Sequence, residues 1–240
     1  MPTVDVVVPV YNEQAALPKS IPTLRDFLLS DAFPYEWRIV IADNASIDDT
    51  PAVGPALMEE YPGEVQYVRI ERKGRGFALK QTWSESDADV RSYMDVDLST
   101  DLASFPRLIK AIAEDGYDVS TGSRLARGSR TTRSPQRTAL SVGYNTIIKA
   151  TFWTRFSDAQ CGFKAISREI AETVLPLIED NNWFFDTELL ILSEKMGYRV
   201  KDIPVRWVED EDTRVKIGST VAEDLRGLWR MRTGQPWRGA

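Results

Sequence analysis

Two aspartates one residue apart, Asp95-Val96-Asp97, close the apolar run RSYMDV in a 240-residue chain that contains no histidine. Extended backbone alternates its side chains, so the two carboxylates fall on one side, near enough to share a divalent cation directly or through water. Oxygen-only ligation suits Mg2+ or Mn2+, which also take phosphate oxygens. The same residue types also serve as turn formers and helix caps, and Asp101 reads better as the cap of the next helix. The missing histidine removes Ser-His and Cys-His nucleophiles, imidazole bases and histidine-bound zinc. A single cysteine, Cys161, excludes an intramolecular disulfide and a cysteine zinc cluster, and fits a reducing compartment.

Other polar clusters stand at the ends of other apolar runs. Pro9-Val10-Tyr11-Asn12-Glu13 follows VDVVVPV (4 to 10), and Asp43 opens the stretch to Thr50 after WRIVIAD (37 to 43). Ser46, Asp48 and Thr50 read either as caps or as ligand contacts, whereas Asp43 lies too early to cap. After VQYVRI (65 to 70), glycines and cations at 72 to 76 precede a helical pattern. Such a helix start can hold an anion, although a solvated glycine-rich turn is the commoner explanation.

These residues need a scaffold that brings strand ends together. The apolar runs, including 91 to 96 and 117 to 123, read as strands buried on both faces. Helical spacing falls between them at 13 to 30, 50 to 61, 76 to 84 and 101 to 114. Strand and helix alternating in this way predict an α/β fold with a mostly parallel, doubly wound sheet, whose ligands bind beyond the carboxyl ends of the strands. Helical patterns at about 138 to 153, 167 to 178 and 186 to 196, a strand VKDIPVRW and a final amphipathic segment complete the chain.

The net charge of −6 argues against a nucleic-acid binder working through overall charge. Residues 124 to 155 nevertheless carry seven basic side chains and no acidic one. No run of 18 apolar residues exists, so neither a spanning helix nor a signal peptide is expected. No G-x-G-x-x-G follows the first strand, which disfavours a dinucleotide oxidoreductase.

As an ordered set, VVVPVYNE, IADNASIDDT, GRGFAL, YMDVDLSTD, TGSR, DAQCGFKAI, WFFDTELL and IPVRW resemble the motifs of inverting family-2 glycosyltransferases with the GT-A fold. Within that family they resemble the polyprenyl-phosphate (dolichyl-phosphate) glucose and mannose synthases, over about residues 3 to 217. The resemblance implies that Pro9, Tyr11, Glu13 and Asp43 hold the nucleotide, with Arg75 where the family usually has lysine. It implies that Asp95 and Asp97 hold the metal on the donor diphosphate, with Val96 between them at the nucleotide sugar. Arg124 and Arg137 would hold the acceptor phosphate, and Asp158, Asp186 and Glu188 would line the sugar or acceptor pocket. Arg214 and Lys216 resemble a loop that closes over the phosphates. The chain departs from the pattern at Ser99, where the mannose synthases commonly have glutamine, and at Trp83, near a usual glycine. The glutamine of the processive synthases' Q-x-x-R-W is missing ahead of Arg206-Trp207.

A lipid phosphate is already anionic at pH 7, so such an acceptor needs no strong base and places the demand on cations instead. This implies a metal-dependent transfer of a hexose, with a UDP-sugar favoured over GDP-mannose by the run WVEDEDTRV. The expected division is a catalytic domain over 1–217 and an amphipathic tail over 218–240. The 138 to 153 helix and this tail, with Trp229 and Trp237 among arginines, fit peripheral contact at the cytoplasmic face of a membrane. Packing of both helices on the core is the competing reading, and a homo-oligomer is left open. Two rival functions remain. One is a soluble family-2 transferase using a hydroxyl acceptor, with Asp158 or Asp186 as base. The other is a nucleotide-binding module without catalysis.

Overall fold

The computed structural model describes residues 1–208 and 217–239, with backbone only at 217–220. The first half alternates as expected: β1 (Thr3–Val10), α1 (Leu17–Leu28), β2 (Glu36–Asn44), α2 (Thr50–Glu60), β3 (Val65–Ile70), α3 (Arg75–Glu85) and β4 (Val90–Met94). A 3-10 turn at Leu102–Ser104, α4 (Phe105–Ala113) and β5 (Val119–Ser123) follow. The second half holds β6 (Arg130–Thr132), α5 (Pro135–Phe152), β7 (Phe163–Ser167), α6 (Arg168–Thr173), α7 (Phe185–Lys195), β8 (Val200–Pro204), β9 (Arg206–Val208) and α8 (Ile217–Gly234).

Seven strands form the central sheet in the order β3-β2-β1-β4-β7-β5-β8. Burial on both faces explains why the central strands read as unbroken apolar runs. Val4, Val6, Val8 and Val10 of β1 face one apolar layer with Leu17, Ile21 and Leu24 of α1 and Leu108 of α4, while Val7 faces the other with Trp83 and the α7 leucines. Among the described residues, no helix is long and apolar enough to cross a membrane.

Two features depart from the sequence expectation. β7 is a strand where no apolar run of sufficient length stands, and it runs antiparallel to both neighbours, β4 and β5. Its N-terminal end therefore lies at the carboxyl edge of the parallel strands, which carries the DAQCG loop there. VKDIPVRW is not one strand. It splits at Val205 into β8, the sheet edge, and β9, which pairs parallel with β6 in a separate two-stranded sheet.

The terminal helix, expected as a tail over 218–240, packs on the body. Leu228 and Met231 of α8 are buried in the main core, and Trp237 packs edge-on against Phe152 of α5. The stripe Val221, Leu225, Leu228, Trp229 therefore divides, with Leu228 inward and the other three exposed. α5 divides similarly: Asn145, Ile148 and Phe152 face inward, and Leu140, Val142 and Ile147 outward.

Candidate active site

The loops after β1 and β2 are laced together through backbone donors. The Asn12 amide donates to Ser46 Oγ (2.9 Å), Glu13 N to Thr50 Oγ1 (2.8 Å) and Gln14 N to Asp48 Oδ2 (3.3 Å). In return Ile47 N donates to Asn12 Oδ1 (2.8 Å). Asn12 and Ala45 adopt left-handed backbone (φ 59° and 58°), turning each chain sharply at its strand end. Ser46 and Thr50 thus serve this lacing with their hydroxyls, and only Asp48 behaves as a local cap, accepting from Thr50 N (3.0 Å).

Asp43 differs from its expected role as a nucleotide contact. It is fully buried, and its oxygens accept from Ser46 N (2.9 Å), Tyr67 Oη (2.6 Å) and Arg69 Nη1 (2.7 Å). Burial alone would raise its carboxyl, but these hydrogen bonds outweigh it and hold it below the ordinary carboxylate value. In this geometry Asp43 shapes the loop. Pro9, Tyr11 and Glu13 remain half-buried along the strand edge, and the Lys73 ammonium lies 3.6 Å from the Tyr11 ring centroid.

The glycine-rich turn before α3 is packed closely against the 181–185 segment. Gly74 N is taken by Asn44 Oδ1 (2.6 Å) and Phe77 N by the Asn181 carbonyl (3.1 Å). A Cβ on Gly76 would stand 2.6 Å from that of Phe185, so its hydrogen side chain lets the 181–185 segment close on the helix start.

β4 ends at Met94, so Asp95 and Asp97 sit in a turn and not in extended chain. Asp95 N donates to the Gly162 carbonyl (3.2 Å) and Leu98 N to the Asp95 carbonyl (3.2 Å), which closes the turn. Both aspartates still line one small pocket, with Ser99, Gly162 and Trp207. The Val96 side chain belongs to the core, so only its backbone can meet a ligand. Ser99 N donates to Asp97 Oδ1 (2.9 Å), and β9 clamps the loop through Val208 N to the Ser99 carbonyl (3.1 Å) and Asp101 N to the Arg206 carbonyl (2.9 Å). Asp101 caps the following 3-10 turn, accepting from Ala103 N (3.0 Å), as its position implied.

The carboxylates expected as catalytic are held by cations. Arg75 bridges Asp95 (2.9 Å) and Asp186 (2.7 Å), with its guanidinium over the Tyr93 and Trp183 rings. Asp186 also meets the buried Lys164 ammonium (3.1 Å) and accepts from Tyr93 Oη. Burial would raise its carboxyl, but Lys164 and Arg75 outweigh that and keep it low. Asp186 is thus held by Arg75, Lys164 and Tyr93 together. Asp158 is likewise sealed, gripped by Arg124 at Nε (2.7 Å) and Nη2 (2.9 Å), and Arg124 overrides burial to keep it ionised. Arg124, expected to meet an acceptor phosphate, spends its guanidinium on Asp158 and lies over the Trp207 ring. Arg137 occupies the first turn of α5, which Ser134 caps. Arg214 and Lys216 lie outside the described residues.

Glu188 is not at the pocket. It is fully buried and accepts two 2.9 Å bonds from Arg230 of α8, plus one each from Asp180 N (3.0 Å) and Glu179 N (3.3 Å). Its task is to fasten α8. Glu188→Ala strips two backbone donors, Glu179 N and Asp180 N, of their acceptor and leaves the half-buried Arg230 guanidinium with only the exposed Glu179 carboxylate (3.1 Å) among the described residues, and is expected to cost about 3 kcal/mol. Urea denaturation measures this, and a change below about 0.5 kcal/mol would contradict the assignment.

Asp224 of α8 was not singled out by sequence and is buried beside the DAQCG loop, accepting from Gln160 Nε2 (2.8 Å). Its other oxygen has no hydrogen-bond partner. Burial raises its carboxyl from 3.8 to about 7 against the Gln160 hydrogen bond, with help from Asp180 and Glu223. The folded protein thus binds this proton more tightly than the unfolded chain. The contribution of this one group to stability is undiminished below about pH 4, falls as pH rises toward 7 and stays low above. Asp224→Asn is expected to be the more stable protein by about 2 kcal/mol at pH 8, with the difference vanishing near pH 4. Thermal melts of both proteins across pH provide the check.

A doubly wound sheet with a carboxylate pair at its carboxyl edge and an inserted antiparallel strand is the GT-A architecture of nucleotide-sugar glycosyltransferases. Solved structures agree on the fold. Glucosyl-3-phosphoglycerate synthase from Mycobacterium tuberculosis, in complex with Mn2+, UDP-glucose and phosphoglyceric acid, superposes with a TM-score of 0.72 at 17% identity, covering 97% of this chain and 80% of that one. A mannosyltransferase from Pyrobaculum calidifontis in complex with GDP-Man and Mn2+ gives 0.59 at 20% identity, covering 98% and 61%.

The glycosyl transferase family 2 profile matches residues 5–175, and the chain belongs to that family. It is a glycosyltransferase of the hexosyltransferase class. Glycosyltransferase AglD of Haloferax volcanii is 33% identical over 236 residues, 95% of this chain, but the chain spans only 37% of that relative's length. Dolichyl-phosphate beta-glucosyltransferase ALG5A of Trichomonas vaginalis is 28% identical over 244 residues, covering 95% of this chain and 75% of its own. The corresponding Saccharomyces cerevisiae enzyme is 26% identical over 230 residues, covering 88% and 69%.

Proposed function

We propose that this enzyme transfers a hexose, with inversion, from a nucleotide-diphosphate sugar to a polyprenyl phosphate, UDP-glucose being the favoured donor. The observation that carries this reading is the state of the buried carboxylates. Asp158 and Asp186 are each ion-paired and held low, which makes both weak bases toward a hydroxyl near pH 7. Glu188 is tied to Arg230. Asp224 titrates in the right range, but its unpaired oxygen is sealed from solvent. An acceptor that arrives ionised needs none of them. The relatives named dolichyl-phosphate beta-glucosyltransferases support the same acceptor class.

A divalent cation fits Asp95 and Asp97. They share one pocket, and among the described residues no group of three or more acidic, histidine or cysteine side chains converges to cage a metal alone. Two carboxylates suit an ion that completes its shell with diphosphate oxygens and water. Bound there, Mg2+ or Mn2+ would neutralise the leaving diphosphate. The chain's own residues do the rest. Arg75 orients Asp95, the Asn12–Ser46 lacing presents Tyr11 and Glu13 to the nucleotide, and Arg124 keeps Asp158 charged beside the pocket.

Peripheral membrane contact at the cytoplasmic face belongs to this reading. Trp153 (86% exposed) and Trp229 (72%), with Leu140, Ile147 and Leu225, leave apolar surface on α5 and α8 for a bilayer interface. The deciding experiment incubates the chain, Mn2+ and UDP-glucose or GDP-mannose with polyprenyl phosphate or with sugar alcohols. Lipid-linked hexose is the expected product, and transfer confined to hydroxyl acceptors would overturn the reading.

A further inference from the structure

A second concavity lies on the far side of β9 from the aspartate pocket. Successive residues of a strand point to opposite faces, and here Trp207 lines the Asp97 pocket while Arg206 lines the other cleft. The loop it clamps divides the same way, with Ser99 and Thr100 on the first side and Asp101 on the second. This cleft is open and about 520 Å³, and four arginines converge on it: Arg107, Arg127, Arg130 and Arg206.

Among the described residues its one acidic lining residue is Asp101, whose carboxylate already caps the 3-10 turn. Arg107 is oriented by the Pro204 carbonyl (2.9 Å) and Ser104 Oγ (3.3 Å). Arg127, Arg130 and Arg206 make no ion pair among the described residues. Overall composition does not produce such a cluster, because the chain carries net −6. Converging guanidiniums repel one another, and an anion between them reverses the sign of that interaction. Arginine matches phosphate oxygens bidentately, and the cleft has the volume of a small-ligand pocket.

We infer that this cleft is a second anion site, built for a phosphate group and separate from the donor pocket. The group comes either from the head of an anionic phospholipid or from a phosphate compound in solution. In the first case it seats the enzyme on an anionic bilayer.

The test compares the full chain with the triple variant R127A/R130A/R206A, leaving Arg107 to hold Pro204. All three side chains are exposed, so the melting temperature is expected to stay close to that of the parent. One arm measures sedimentation with phosphatidylcholine vesicles with and without phosphatidylglycerol. The other measures binding of inorganic phosphate by calorimetry. Loss of the phosphatidylglycerol-dependent partition by about a hundredfold identifies the lipid head group. Loss of phosphate binding by about tenfold, with vesicle partition unchanged, identifies a soluble ligand. If the variant matches the parent in both arms, or the parent binds neither probe, the cleft is no anion site. Hexose transfer to polyprenyl phosphate in detergent is followed separately, so a failure of this inference is distinguishable from a failure of the proposed reaction.

Discussion

Asp97→Ala is expected to lower hexose transfer by at least about a thousandfold while leaving the melting temperature within a degree or two. The two halves of that expectation have separate causes. Asp97 is exposed and accepts a local hydrogen bond from Ser99 N, so its removal opens no cavity in the core. Its carboxylate is nevertheless one of two that line the pocket among the described residues, and a diphosphate cation held by one carboxylate loses much of its affinity and its placement. Initial rates with saturating Mn2+ and a thermal melt test both halves. A variant that transfers at the parental rate would remove Asp97 from the site. Asp95→Ala is the less clean experiment, since it also leaves Arg75 with one partner fewer in a buried setting.

Gly162→Ala is expected to be nearly as damaging, through a different route. A Cβ at this position would lie 1.7 Å from Asp95 Oδ2 and 2.4 Å from its Cγ, so the Asp95 carboxylate and an alanine methyl cannot both occupy their places. The Asp95 side chain is 44% exposed and can swing into solvent, which makes displacement cheaper than deforming the sheet. Transfer should fall by about a hundredfold or more, with metal-dependent UDP affinity reduced and stability lowered by only about 1 kcal/mol. Calorimetric titration of UDP in Mn2+, alongside the rate and the melt, reads all three. Parental UDP affinity together with a parental rate would show that Asp95 tolerates the intrusion and that the glycine has another purpose.

The alternation of strands and helices was legible because parallel strands covered on both faces must be apolar throughout. That Asp95 and Asp97 share one pocket was legible because they stand at a strand end among other polar strand ends. β7 was not, and the reason is Lys164. A lysine inside FKAIS breaks the apolar pattern, and it is tolerated because Asp186, far along the chain, neutralises it. The locking of Asp186 by Arg75 spans 111 residues and leaves no local trace. Helical periodicity in α8 marked which residues are apolar, but not that Leu228 and Met231 turn inward while Trp229 turns out. The close packing of the turn before α3 against Asn181 and Phe185 was not legible, because those residues lie about a hundred positions further along the chain.

The place of β7 has a consequence for how the enzyme comes into being. It wedges between β4 and β5, two strands that precede it in the chain, and so acts as a keystone set after the arch has risen on either side. Until it is seated, β1 to β4 can present Tyr11, Glu13 and both pocket aspartates, but Gly162 is not there to receive the Asp95 amide and Lys164 is not there to hold Asp186. Such a long-range closure is slow to form and comes late. Catalytic competence and completion of the sheet should therefore arrive together during refolding, and a fragment ending before β7 would carry the loops after β1 and β2 without the enzyme.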